Sequence, residues 1–241
     1  MKAVILAAGI GSRLAPLTND RPKVLVEILG RSFLHRQMDA LAKVGITGSD
    51  VVVVGGYRLD RLREALAGTG ATIVVNEKFE PWNNFHSLLV AESAVRGHDF
   101  LQLDGDVILD DHLLPKLVAG VGDIVLAVDC RDTIGDEEMK AQVVPGTTRV
   151  IALSKKLDPK QCVGESLGLS KVSAKVAPML FEDLAKLPGE NLTNEYYEYS
   201  YNRLNQQERL RLEMVDVHGC KTIEIDTVED LRAAEEMMRR A

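Results

Sequence analysis

The chain has 241 residues, 46% of them hydrophobic, and a formal net charge of −7. That is enough apolar material for a sizeable α/β core, and the acidic balance excludes a global basic footprint for nucleic acid. No apolar run reaches the roughly 20 residues of a membrane-spanning helix, the N-terminus lacks the pattern of a signal peptide, and Cys130, Cys162 and Cys220 suggest neither a disulfide framework nor a zinc site; no membrane partner and a cytoplasmic setting are expected.

Apolar runs and helical patterns alternate from the start. Ala3–Leu6 and Lys23–Ile28 read as strands, and Phe33–Lys43 as a helix with Phe33, Leu34, Met38 and Leu41 at helical spacing and Gly45 as its stop. A strand is predicted over Val51–Val54, a helix over Leu59–Leu66, a strand over Ala71–Val75, a helix over Ser87–Ala94 and a strand over Phe100–Leu103. In the less regular second half, Ile124–Val128, Val150–Leu153 and Leu210–Val217 read as strands, and Pro178–Leu187 and Val228–Arg240 as helices. The β-α-β rhythm implies an α/β, Rossmann-like three-layer sandwich. A mostly parallel mixed sheet is expected, with a small accessory lobe from the second half. No repeat, low-complexity tract or linker divides residues 1–241, so one domain is expected.

The first strand runs into Ala7-Ala8-Gly9-Ile10-Gly11-Ser12-Arg13. Glycines permit a tight turn and close backbone approach to a ligand, and the N–H groups of such a loop cradle phosphate. It is neither a P-loop nor a complete dinucleotide fingerprint, since Leu14 stands where a third glycine belongs. A plain turn at a sheet edge is the competing reading. Arg13 closes the loop, and Lys23 stands just before the next apolar run; a guanidinium fork and a compact ammonium suit different phosphates of a triphosphate.

Leu6-Ala7-Ala8-Gly9-Ile10-Gly11-Ser12-Arg13, followed by Pro22-Lys23-Val24-Leu25-Val26, resembles the signature of the NTP-transferase (sugar-phosphate nucleotidyltransferase) family. The resemblance implies that the backbone of Leu6, Ala7, Ala8, Gly9, Gly11 and Ser12 wraps a nucleotide's phosphates. It also implies that Arg13 and Lys23 neutralise them. It further divides the domain into a nucleotide-binding half, about 1–125, and an acceptor-binding and metal-completing half, about 126–241.

Nucleotidyl transfer depends on positioning and charge neutralisation, and magnesium binds through one or two carboxylates plus phosphate oxygens. Asp104-Gly105-Asp106 closes the strand Phe100–Leu103, and Glu224-Ile225-Asp226-Thr227 lies near the C-terminus. Family positions imply Asp106 and Asp226 as the Mg2+ ligands, with Asp104 and Glu224 supporting. An Asp-Gly-Asp turn and a helix cap at Asp226 are the competing readings, although Thr227 also fits the cap.

Asn76-Glu77-x-Phe79-x-x-Trp82-Asn83-Asn84-x-x-Ser87-Leu88 resembles a stretch of bacterial phosphocholine cytidylyltransferases, and of the inositol-phosphate and phosphonate cytidylyltransferases. Asp136–Lys140 and Glu224–Leu231 resemble the same branch. The resemblance implies CTP as the nucleotide, with Asn76, Asn84 and Ser87 as the polar candidates for the base, each of which also reads as a turn or cap residue. Lys155 matches the family lysine at the acceptor's phosphate. Ser154-Lys155-Lys156 replaces the Glu-Lys-Pro of the hexose 1-phosphate enzymes. Glu195–Tyr201 holds four of the five tyrosines with two carboxylates, which suits an ammonium-bearing acceptor; an amphipathic helix whose tyrosines cover a sheet edge is the preferred alternative. Tyr196 and Glu165 join Lys155 as acceptor residues, and Trp82 is read as either an ammonium contact or lobe packing.

The expected partners are therefore an NTP and a phosphorylated or phosphonate acceptor, with homodimerisation left open. An inositol 1-phosphate or sugar 1-phosphate acceptor with CTP or another NTP is the nearest alternative. A non-catalytic nucleotide-binding regulatory subunit is the alternative of another class, opposed by the presence of Arg13, Lys23, Asp106 and Asp226 together. A nicotinamide oxidoreductase would need an acidic residue closing the second strand, and Glu27 stands within it.

Overall fold

The computed structural model describes residues 1–239. In chain order it contains strand β1 (Lys2–Ala7), the hairpin β2 (Glu27–Ile28) and β3 (Arg31–Ser32), helix α1 (Phe33–Lys43), β4 (Val51–Gly55), α2 (Leu59–Ala65) and β5 (Thr72–Val75). Helices α3 (Phe85–Val90) and α4 (Glu92–Val95) follow, then β6 (Phe100–Asp104), β7 (Val107–Ile108), α5 (Leu113–Ala119) and β8 (Ile124–Cys130). The remainder comprises β9 (Lys140–Val143), β10 (Arg149–Ser154), β11 (Gly164–Val172), α6 (Ala177–Lys186), α7 (Tyr197–Gln206), β12 (Leu212–Asp216), β13 (Ile223–Glu224) and α8 (Val228–Arg239). The expected helix end at Arg240 lies outside the described residues.

Nine strands form one mixed sheet in the order β5-β4-β1-β6-β11-β8-β12-β10-β9. Strands β5, β4, β1 and β6 are parallel. β11 runs antiparallel to both β6 and β8, while β12 is parallel to β8. Alternating side chains build the two faces, as a period of two requires. Ala3, Ile5, Val51, Val53, Leu101 and Leu103 join a core with α1, α5 and α8. Val4, Leu6, Val52, Val54 and Phe100 join another with α3, α6 and α7. This is the three-layer α/β sandwich expected, and no helix among the described residues is long and apolar enough to cross a membrane.

Several local expectations change. Lys23–Ile28 is not one strand: Lys23–Leu25 is a 3-10 turn begun by Pro22, and only Glu27–Ile28 pairs, within the small hairpin. Val24 and Val26 are still buried, so apolarity here reflects burial rather than extension. The predicted helix Ser87–Ala94 starts earlier, at Phe85, and breaks at Ala91. Ser87 is therefore inside the helix and caps nothing. Strand β11, the bridge between the two halves of the sheet, had no counterpart in the sequence reading. Its Gly164-Glu165-Ser166-Leu167-Gly168-Leu169-Ser170-Lys171-Val172 alternates too weakly to stand out.

Candidate active site

The carboxyl end of β1 leads into the glycine-rich loop, which folds back as the 3-10 turn Ser12–Leu14. Gly11 has φ +72°, and a Cβ there would lie 2.7 Å from Lys23 Cβ. Glycine is thus required both for the left-handed backbone and for passage of the Lys23 stem. Gly105 has a similar task beneath Asp106. Its N–H donates to the Leu6 carbonyl at 3.0 Å, and a Cβ on it would lie 2.6 Å from that oxygen.

Lys23 Nζ donates to Asp106 Oδ2 and to Asp226 Oδ1, each at 2.7 Å. Asp226 reaches the site because β13 pairs with β7 and the Ile225 N–H donates to the Asp106 carbonyl at 3.0 Å. Thr227, not Asp226, caps α8: Thr227 Oγ1 accepts from the Asp230 N–H at 3.2 Å, and Asp230 Oδ2 accepts from the Thr227 N–H at 2.7 Å. That reciprocal cap leaves the Asp226 carboxylate turned to Lys23 and Arg13, whose Nη2 lies 2.8 Å from Asp226 Oδ1.

Burial opposes the charge of Lys23, yet the Asp106 and Asp226 carboxylates outweigh it and raise the ammonium pKa. Burial likewise opposes ionisation of Asp226, and Lys23 with Arg13 reverses this and lowers its pKa. One oxygen each from Asp106, Glu224 and Asp226 lies within 4.8 Å of the others. Asp106 Oδ1 is buried without a hydrogen-bond partner. Three convergent carboxylates, two of which already hold an ammonium and one of those with an unused oxygen, fit a hard divalent cation.

A cleft of about 310 Å³ opens over these groups, within the range of small-molecule sites. It is lined by Leu6, Ala7, Ala8, Gly9, Arg13, Lys23 and Asp106 from the first half, and by Lys155, Glu165, Tyr196 and Asp226 from the second. Asn84 and Ser87 line it too. Three expected residues do not. Gly11 and Ser12 are outside the lining, Gly11 lying against the Lys23 stem and Ser12 exposed. Asn76 is buried and braces the wall instead: its Nδ2 donates to Ser87 Oγ at 2.9 Å and its Oδ1 accepts from the Lys78 N–H at 2.8 Å. Asn84 Oδ1 accepts from the Tyr197 N–H at 3.2 Å, tying α3 to α7.

The second-half wall is a charged network that sequence reasoning largely missed. Arg131 pairs with Asp129 at 2.7 Å, Glu138 at 2.9 Å and Glu165 at 2.5 Å. Buried Lys140 donates to the carbonyls of Asp136, Glu138 and Lys155 at 2.6, 3.3 and 2.6 Å. The segment presenting Glu137 and Met139 to the cleft is thereby fastened to Lys155. Asp104 accepts from Gln102 Nε2 at 2.9 Å and from the Tyr197 hydroxyl at 3.2 Å; desolvation, then the charges of Glu198 and Asp106, push its carboxyl well up.

The tyrosine cluster divides. Tyr197 and Tyr201 are enclosed in the core, Tyr199 stacks under Arg203 at 5.2 Å, and Tyr196 lines the cleft with Lys155 Nζ 4.8 Å over its ring. Tyr197, Tyr199 and Tyr201 thus lie in helix α7, and of the four only Tyr196 lines the cleft. Trp82 stacks on Phe85 at 5.9 Å and is outside the lining. Of the two carboxylates in that cluster, Glu198 is also in the lining and Glu195 is not.

The profile of the MobA-like NTP transferase domain matches residues 3–167. The choline-phosphate cytidylyltransferase of Streptococcus pneumoniae is 26% identical over 243 residues, spanning 99% of each chain. The CMP-5'-(3-aminopropyl)phosphonate synthase of Streptomyces rubellomurinus is 37% identical over 123 residues, 49% of this chain but 19% of that longer one. The inositol-1-phosphate CTP transferase of T. maritima superposes with a TM-score of 0.79 at 25% identity, covering 99% of this chain and 95% of that one.

Proposed function

The chain belongs to the MobA-like NTP transferase family and is a nucleotidyltransferase, and on that premise we propose that it moves CMP from CTP to a small phosphorylated or phosphonate acceptor bearing an amine, with release of pyrophosphate. The observation that carries the reading is the convergence of Lys23, Asp106 and Asp226 at the foot of the glycine-rich loop. CTP is favoured by the full-length similarity to a cytidylyltransferase, and an amine-bearing acceptor by the names of two relatives.

Residues 1–241 are taken as one unit, the nucleotide on the half up to about residue 125 and the acceptor on the remainder. In this assignment the ends of the β1 loop, Leu6 to Gly9, meet the triphosphate backbone to backbone, while Arg13 faces the departing pyrophosphate. Asn84 and Ser87, which line the cleft, are assigned to the base and ribose. Asp106 and Asp226, with Glu224 beside them, would hold a magnesium ion, which supplies neutralisation of triphosphate charge.

The acceptor's phosphate oxygen is ionised at neutral pH, so the chain need provide no general base. That oxygen bonds to the α-phosphorus as the bond from the α-phosphorus to the bridging oxygen of pyrophosphate breaks, and the electron pair leaves with pyrophosphate. Lys23 is placed to stabilise charge on the α-phosphoryl group, and Lys155 to hold the acceptor's phosphate. CTP, UTP, GTP and ATP offered in turn with phosphocholine, phosphoethanolamine, inositol 1-phosphate and glucose 1-phosphate, read by pyrophosphate release, test the reading. CTP with an amine-bearing phosphate is the expected pair; preference for glucose 1-phosphate or for another NTP would replace it.

A further inference from the structure

The acceptor side of the cleft holds more carboxyl groups than cations. Asp104, Glu137, Glu165 and Glu198 line it beside the one cation Lys155. Two of these carboxylates are engaged: Asp104 by Gln102 and Tyr197, and Glu165 by Arg131. Glu198 is different. It is 5% exposed, it stands in the first turn of α7, and its Oε2 is buried with no hydrogen-bond partner. Burial pushes its carboxyl up to about 7, against the opposing pull of its own backbone N–H, Tyr197 and Lys155. A buried carboxylate oxygen without a donor is costly and rare in folded proteins.

The aromatic surroundings narrow what could supply that donor. A quaternary ammonium has no N–H and is recognised by open aromatic faces. Here Lys155 already covers the Tyr196 ring, and the rings of Tyr197 and Tyr201 are enclosed in the core. A primary ammonium presents three N–H donors, and a donor is what Glu198 Oε2 lacks. Resting on the reading of this cleft as a cytidylyltransferase acceptor site, we propose that Glu198 is the specificity-determining residue that receives a primary ammonium at the tail of the acceptor, in preference to a trimethylammonium or a neutral tail.

The test compares three acceptors with the same phosphate and two-carbon linker, ending in a primary ammonium, a trimethylammonium or a hydroxyl, in the wild-type enzyme and in Glu198→Gln. The wild type should favour the primary ammonium over the hydroxyl about ten- to a hundredfold in kcat/KM, the range of a hydrogen bond to a charged group. Glu198→Gln should erase that preference while the KM for CTP stays within about twofold. Equal wild-type efficiency on the ammonium and hydroxyl acceptors, or a preference for trimethylammonium, overturns the assignment without recourse to any variant. A preference that survives in Glu198→Gln overturns it as well. Failure of all three acceptors to release pyrophosphate from CTP removes the underlying reading and this one with it; failure of the preference alone leaves cytidylyl transfer standing.

Discussion

The two ends of the cleft handle charge differently. At the glycine-rich loop, Lys23 and Arg13 are matched by Asp106 and Asp226 at 2.7–2.8 Å, and two glycines, Gly11 and Gly105, exist to let those side chains and strands approach. At the other end, carboxylates outnumber cations, and order comes from backbone ties made by Lys140 and ion pairs gathered by Arg131. The end proposed for triphosphate and metal is a standing arrangement of opposite charges. The end proposed for the acceptor keeps an unpartnered carboxylate oxygen, on Glu198, for a ligand to meet.

The sharpest way to break this contrast is at the matched end. Asp226→Ala should lower turnover by at least two to three orders of magnitude, the range seen when a preorganised electrostatic contact is removed, with the melting temperature little changed. Turnover near wild type in limiting magnesium would remove Asp226 from the site.

A gentler probe is Gly11→Ala. The new methyl would meet Lys23 Cβ at 2.7 Å on a backbone at φ +72°, so a destabilisation of about 1–2 kcal/mol is expected from the left-handed conformation. Displacement of Lys23 should also reduce kcat about tenfold or more. Unchanged kcat would mean that the lysine tolerates displacement and is not aligned with the reacting phosphate.

How much of this was legible in the sequence follows the same division. Where the backbone itself shapes the site, the residues are contiguous: Leu6–Arg13 and Pro22–Lys23 announce a phosphate loop because glycine, small residues and cations must stand in that order. The carboxylates proposed to hold a metal were readable through the strand end at Asp106 and the Asp-Thr step at Asp226. The opposite wall was readable only in part: Lys155, Glu165, Tyr196 and the Tyr-Glu cluster with Glu198 stood out, while the network that joins them did not. Glu137, Glu198 and Arg131 come from a loop, a helix and a strand end brought together by tertiary packing, and β11, which carries Glu165, lacks the apolar alternation that marks a strand. Asn76 shows the reverse error: its polarity suggested a ligand contact, but it satisfies Ser87 and Lys78 inside the wall.

On the acceptor side the expected effects are smaller. Arg131→Gln should raise the acceptor KM severalfold and leave the KM for CTP unaltered, because Arg131 acts by holding Glu165 and Glu138. A rise in the KM for CTP instead would spread the network across both ends.

Glu198 also gives a pH signature in the ligand-free protein. Its folded pKa, raised to about 7 by burial, exceeds the value near 4.3 of an unfolded glutamate. Between those values the native state binds more protons than the unfolded state, so stability should fall as pH rises from about 4 to 7. Asp104, Tyr197 and Lys155 are the charged and titratable neighbours that set the depth of this fall. Melting curves should show a shallower decline in Glu198→Gln than in wild type; parallel declines would mean that Glu198 is not the group responsible.

The central claim is that the acceptor's oxygen attacks the α-phosphorus of CTP. Phosphorus NMR of a reaction containing CTP, magnesium and phosphoethanolamine follows this directly. The account predicts loss of the triphosphate resonances, appearance of inorganic pyrophosphate, and a new pair of mutually coupled signals from the P–O–P link between CMP and the acceptor. Formation of CDP with orthophosphate or with a doubly phosphorylated acceptor would place the attack at the γ-phosphorus and contradict it.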